Sequence, residues 1–337
     1  MLSRFIIFLS ILLLFSNPAY ALTLKISTLS PDGSTWMQEL REGAKQIKEQ
    51  TQGRVKFKFY PGGVMGDDKA VLRKMRIGQL HGAAFSNGSL NIHFPDVQLY
   101  NLVMKFRSLD EVDYVRQQMD SMIIKGLEEN GLVTFGLSEI GFAYLMSQDP
   151  IASINDLRAR KVWIPEGNHI AAAAVSAFSV TPIPLPLRDV LIALQTGMID
   201  TVAGSPTGAL TLQWHTQVKY LTELPLSYIY GVLAIDKRTF SKISPSDQVI
   251  VRKTLSLVTQ KLDKSNRQDN IKAMDAIKNQ GIEIIVPLEE ASIELAALIS
   301  PANQRLMKSG KLSADAVQIL DQHLSDFRSG TANALHK

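Results

Sequence analysis

Cysteine is absent from the 337 residues. That excludes a disulfide framework, thiolate metal sites, a cysteine nucleophile and a lipid-anchored N-terminal cysteine. Charge of one sign is also scarce: 36 Lys and Arg against 32 Asp and Glu leave a net charge of only +4. No dense Lys/Arg stripe with interleaved aromatics occurs, so a nucleic-acid partner is not expected. Signatures of catalysis are missing too. His81, His93, His169, His215, His323 and His336 have no metal-ligand spacing such as HExxH. No Ser sits in a GxSxG elbow. Gly62-Gly63-Val64-Met65-Gly66 lacks the Lys-Ser/Thr of a P-loop and the GxGxxG of a dinucleotide fingerprint, so it reads as a turn. No cofactor and no metal are therefore expected. An enzyme would need a constellation of groups that the sequence does not display.

What is present begins with an N-terminal targeting pattern. Arg4 gives a positive start, and Phe5 to Phe15 is apolar apart from Ser10. Asn17-Pro18 breaks the run, and Ala19-Tyr20-Ala21 fits a small-x-small cleavage site. The apolar run of 11 residues is short of the roughly 20 needed to span a bilayer. Residues 1–21 thus read as a signal peptide, with Leu22 starting a mature chain free in the periplasm. No later segment is long and apolar enough to span.

Beyond Leu22 the length suggests about two domains. Helical and strand patterns alternate, which predicts an α/β chain with mixed, mainly parallel sheets covered by helices. Leu24–Thr28 and Val55–Phe59 read as strands. Trp36, Leu40, Ala44 and Ile47 recur at helical spacing. The two halves echo each other. Val71-Leu72 leads to Gly78, and Val190-Leu191 leads to Gly197, seven residues on in both cases. Fifteen residues after each Val stands a Ser, Ser86 and Ser205, at the end of a strand. The pattern reads as a duplicated architecture, with chance similarity of two βαβ units as the competing reading. In open α/β sheets, ligands bind beyond the carboxyl ends of strands. Duplication would therefore set two such loops across a cleft. Val133–Ser147 and Leu226–Ile235 look like crossovers between lobes. Ser244 as N-cap and Pro245 at the first helical position open a pattern that runs to about Asn279 before Gly281. A helix of that length could bridge both lobes.

The chain resembles the DctP-type solute receptors of TRAP (tripartite ATP-independent periplasmic) transporters. Three stretches carry the resemblance. They are Tyr60-Pro61-Gly62-Gly63-Val64-Met65-Gly66-Asp67 with the helix to Gly78, Ile154-Asn155-Asp156-Leu157-Arg158 leading to Lys161-Val162-Trp163-Ile164-Pro165, and Pro184 to Asp200. The resemblance implies a two-lobed periplasmic-binding-protein fold. It implies a receptor that captures a small solute between the lobes, hydrolyses nothing and delivers the solute to a membrane permease. On this reading lobe I comprises 22–138 and 229–265, lobe II 139–228 and 266–328, and 329–337 is a tail. The alternatives are an accessory or sensor protein of the same fold and, less favoured, a secreted enzyme.

The typical family member has an Arg two residues before the Pro of the second motif, where it pairs with a substrate carboxylate. Here that position is Trp163. Simple organic acids are therefore not the expected ligands, because a buried carboxylate needs a cation. Trp163 is the first candidate to contact the solute, by motif position; core packing is its competing role. Glu139 and Tyr144 lie on the first crossover. Glu139 reads either as a solvated surface carboxylate or as a partner-free acceptor for a cationic group, with Trp163 adding a cation–π face. Asn87 and Ser205 close the echo loops and could bind a ligand or stabilise turns. Trp36 reads as core.

Overall fold

The computed structural model describes residues 21–330. The expected cleavage site therefore falls almost wholly outside the described residues, as does the end of the tail. No helix among the described residues is long and apolar enough to cross a membrane.

Lobe I starts with β1 (Leu22–Thr28), α1 (Thr35–Gln50), β2 (Val55–Tyr60), α2 (Asp68–Arg76) and β3 (Gly82–Ser86). Ser34 caps α1, and Asp67 caps α2 through a 2.8 Å bond from the Ala70 amide. α3 (Leu109–Glu129) and the short β4 (Leu132–Thr134) lead to β5 (Ser138–Ser147), the first crossing strand. Lobe II then holds α4 (Ile154–Arg158), β6 (Trp163–Pro165), α5 (His169–Ala177), β7 (Ile183–Leu185), α6 (Val190–Gln195), β8 (Thr201–Gly204) and α7 (Pro206–Thr211). The chain returns along β9 (Tyr220–Asp236), 17 residues long, and the single turn α8 (Lys237–Phe240). α9 (Pro245–Asn279), β10 (Glu283–Ile285), α10 (Glu289–Lys308) and α11 (Ala314–Arg328) complete the fold.

Pairing is parallel where helices connect strands, in β1–β2, β1–β3 and β6–β7. The crossing strands enter antiparallel: β9 against β3, β4 and β5, and β5 against β8. One sheet, in the order β2-β1-β3-β9-β5-β8, therefore runs through both lobes. The β5–β9 ladder is irregular between Glu139 and Gly141 and again between Ala143 and Leu145. Such bulges bend the sheet where it passes from one lobe to the other.

α9 is about 52 Å long, from 35 residues at 1.5 Å rise. Val251, Leu255, Val258 and Leu262 pack in the lobe I core with Leu40, Ile47 and Phe240. Beyond the polar residues 263–270, a little over two turns, Ile277 packs in the lobe II core with Val190, Leu194 and Trp214. The helix is thus bolted to each lobe by a different half of one apolar stripe. α10 packs in lobe II through Ile299, beside Ile154, Leu157 and Phe178, and its end joins the lobe I cluster through Leu306. α11 does not follow the expected division. Val317, Leu320 and Leu324 pack with Val97, Val112 and Ile123 of lobe I, and Arg328 Nε donates to Glu111 at 2.7 Å. The chain end is pulled back because that lobe leaves an apolar face on α3 uncovered, and a local sequence pattern carries no sign of which lobe offers it.

Candidate functional site

A cleft of about 390 Å³ lies between the lobes. Lobe I supplies the loop after β1, the start of α1 with Thr35 and Trp36, and the end of β3 with Phe85 and Ser86. Lobe II supplies Leu187, Ser205, Thr207, Thr211 and Leu212. The crossing strands supply Ile140 and Gly231, and α9 supplies Asn266, Asp269 and Asn270. Both echo serines, Ser86 and Ser205, are on the wall.

The Tyr60–Asp67 motif braces this wall from behind. The Gly62 amide donates to the Ser30 carbonyl at 2.9 Å and the Gly63 amide to the Thr28 carbonyl at 3.0 Å. The second and third motifs are tied together in lobe II, where the Lys161 amide meets Asp200 Oδ1 at 2.9 Å. Contacts outside the cleft lining also join the lobes. Lys69 Nζ lies 2.5 Å from Glu166 Oε1, Arg188 Nη2 lies 4.0 Å from Asp67 Oδ2, and Asn91 Nδ2 donates to the Gly167 carbonyl at 3.1 Å. Beside them Asp68 accepts from Ser89 Oγ. Burial, countered by Ser89 and reinforced by Asp67, pushes the Asp68 carboxyl up to about 6.

One face of α9 grips the bend in β5. Asp263 Oδ1 accepts from the Glu139 amide at 2.5 Å, Asn266 Nδ2 donates to the Glu139 carbonyl at 2.5 Å, and Asn270 Nδ2 donates to the Ile140 carbonyl at 2.7 Å. Asn270 Oδ1 also accepts from the Thr207 amide at 3.2 Å, reaching into lobe II. Gly141 sits at φ +109°, and a Cβ there would come within 2.6 Å of Asn270 Nδ2. Gly231 answers a similar need on β9: a Cβ would lie 2.5 Å from the Trp36 ring.

The expected site residues take different places. Ser205 is on the cleft wall, with its Oγ accepting from the Gly208 amide at 3.1 Å as the cap of α7. Asn87 opens the short turn Asn87–Leu90 directly after Ser86. Tyr144 pairs with Gly204 in the β5–β8 ladder and is half-buried between two apolar clusters, outside the cleft lining. Burial, with Glu223 nearby, raises its phenol. Trp163 is 3% exposed and turned into lobe II. Its Nε1–H donates to the Leu185 carbonyl at 3.0 Å, and its ring meets Trp214 edge-on at 5.3 Å. It also bounds a separate apolar cavity of about 110 Å³, with Leu145, Leu157 and Phe178 of lobe II and Val103 of lobe I.

Glu139 requires a correction. It is 1% exposed and neither solvated nor partner-free. Arg267 Nη2 reaches its Oε2 at 2.5 Å, and the Tyr228 hydroxyl donates to it at 3.3 Å. Arg267 also forks onto Asp113 at 2.7 and 2.8 Å. These partners are far apart in the chain, so no local spacing announces them. Trp36 requires another: it packs against the lobe I core yet also lines the cleft. The reading of the residues missed Asn266, Asp269 and Asn270. A signal existed, since Asn266 and Asn270 stand where the stripe through Leu262 calls for apolar side chains.

The model of bacterial extracellular solute-binding protein, family 7 (DctP) matches residues 26–309. The sialic acid-binding periplasmic protein SiaP of Vibrio cholerae is 23% identical over 273 residues, covering 79% of this chain and 84% of that one. The C4-dicarboxylate-binding periplasmic protein DctP of Rhodobacter capsulatus is 22% identical over 246 residues, covering 71% and 74%. Among solved structures, a TRAP periplasmic solute-binding protein of Xanthobacter autotrophicus with bound β-D-galacturonate superposes with a TM-score of 0.82 at 18% identity, covering 90% of this chain and 99% of that one. One from Haemophilus influenzae with bound L-gulonate gives 0.82 at 20% identity, covering 89% and 99%. With a cleft walled by two lobes and a family match over most of its length, the chain belongs to bacterial extracellular solute-binding protein family 7, the DctP family, and is a solute receptor.

Proposed function

We propose that this receptor is exported, closes its lobes on one small solute and hands it to a TRAP-type membrane permease. The cleft carries this reading: its walls come from both lobes, both crossing strands and the bridging helix, so closing the lobes would enclose a solute. The contacts from Lys69, Asp67 and Asn91 to the other lobe are what a closed form would use. The lobes on this reading follow the sequence division at 138/139, 228/229 and 265/266, with α11 assigned to lobe I. Ser205 and the Asn87 turn belong to the solute site, and Trp163 and Tyr144 back it from lobe II.

The ligand is not a simple dicarboxylate. Relatives named for sialic acid, C4-dicarboxylates and 2,3-diketo-L-gulonate take acids. Here Trp163 stands where the family carries its Arg, and no Lys, Arg or His lines the cleft among the described residues. Small-angle scattering tests closure: the radius of gyration should fall on adding the solute that mass spectrometry finds released from natively purified protein. An unchanged radius at saturation refutes it. Intact mass should begin at Leu22, and a retained leader on membrane-bound protein refutes export.

A further inference from the structure

The charge of the cleft wall narrows the ligand further. Asp269 is its one titratable side chain among the described residues. Its Oδ2 accepts from the Thr35 hydroxyl at 3.1 Å, and among the described residues no Lys, Arg or His pairs with it. Of the charges on the contacts between the lobes, Lys69 is paired with Glu166 and Arg188 with Asp67 and Asp189, while Asp68 meets the Ser89 hydroxyl and brings no positive charge.

One feature of the wall would favour an anion. α1 begins at the cleft, and the N-terminal end of a helix carries partial positive charge. Ser34 already caps that end by accepting from the Met37 amide, and the Asp269 carboxylate lies beside it, held by the Thr35 hydroxyl. An anionic ligand would meet a carboxylate where it needs a donor. Trp36, also on the wall, brings an aromatic ring held beside the chain by the absence of a side chain at Gly231. A carboxylate without a counter-ion beside an aromatic ring suits a compact cation.

We propose that the cleft recognises a small organic cation of the ammonium type, with Asp269 as its counter-ion and Trp36 as its aromatic contact. The proposal rests on the receptor reading above.

The test is calorimetric titration of the mature protein with choline and ethanolamine, set against succinate, D-glucuronate and D-glucose. An ammonium compound should bind and the two acids should not. Asp269→Asn should weaken that binding at least about tenfold, because a desolvated charge loses its partner. Trp36→Phe, which keeps a ring, should weaken it about two- to fivefold. Where the Asn variant does not fold, Asp269→Glu compared with Asp269→Gln carries the same contrast in charge. Tighter binding of succinate or D-glucuronate than of either ammonium compound overturns the proposal. So does silence towards both ammonium compounds at millimolar concentration, or an affinity that Asp269→Asn leaves unchanged. If D-glucuronate binds and shrinks the radius of gyration, the cation proposal fails while the receptor reading stands. If the solute retained through purification leaves the radius unchanged, the receptor reading itself fails.

Discussion

Replacing Arg267 by Met would leave the Glu139 carboxylate 1% exposed and without its cation. The guanidinium makes its shortest contact to Glu139 at 2.5 Å, with two more through Nε at 3.2 and 3.3 Å. After the change only the Tyr228 hydroxyl, at 3.3 Å, still faces the carboxylate. Breaking a buried pair from one side costs about 3–5 kcal/mol, and the remaining hydroxyl argues for the lower end, about 3. The lost contacts to Asp113 add little, because that carboxylate is 41% exposed and water replaces them. The backbone grip of Asp263 and Asn266 on Glu139 stays in place, so the loss reports the charge itself. Urea unfolding followed by circular dichroism, at constant slope, measures it. The double variant Arg267→Met, Glu139→Gln removes the orphaned charge and should recover at least about half of the loss. A cost under about 1 kcal/mol in the single variant, or no recovery in the double, would refute the argument that this is a buried, mutually dependent pair.

Three further outcomes are expected. Gly141→Ala should destabilise the protein by about 2 kcal/mol, since φ of +109° is strained for Ala and the new Cβ presses on Asn270; an unchanged urea midpoint contradicts this. Asp68 is raised from 3.8 to about 6, so between those values the folded protein holds the proton that the unfolded chain has lost. Stability should therefore fall as pH rises through that window, and Asp68→Asn should gain on wild type in melting temperature above it; parallel pH profiles for the two proteins would count against it. Trp163→Arg puts a guanidinium into an apolar wall beside Trp214 and should cost about 3–5 kcal/mol without conferring succinate binding. A stably folded variant that binds succinate would mean that position 163 faces the solute.

Local chemistry was legible without the fold. Caps and punctuating glycines act within one turn of chain, so the long helix could be read from Ser244 and Pro245 to the stop at Gly281, and it spans Pro245–Asn279. The same holds for the two strand ends at Ser86 and Ser205, which line the cleft from the two lobes because each closes a strand of the same sheet. Tertiary structure decided which side each group faces and what it meets. Side chains alternate across a strand, so the direction of Trp163 depends on how β6 sits in its lobe: Trp163 opposes Ile183 in the β6–β7 pair, and its ring goes to Trp214 inside the lobe. Glu139 and Arg267 meet only because α9 lies along the bend of β5. Asp269 reaches the cleft because the same helix must cross from one core to the other, and its polar stretch 263–270 falls at the gap between them. Period and capping are properties of neighbouring residues, whereas a counter-ion or a cavity wall is a property of segments brought together from far along the chain.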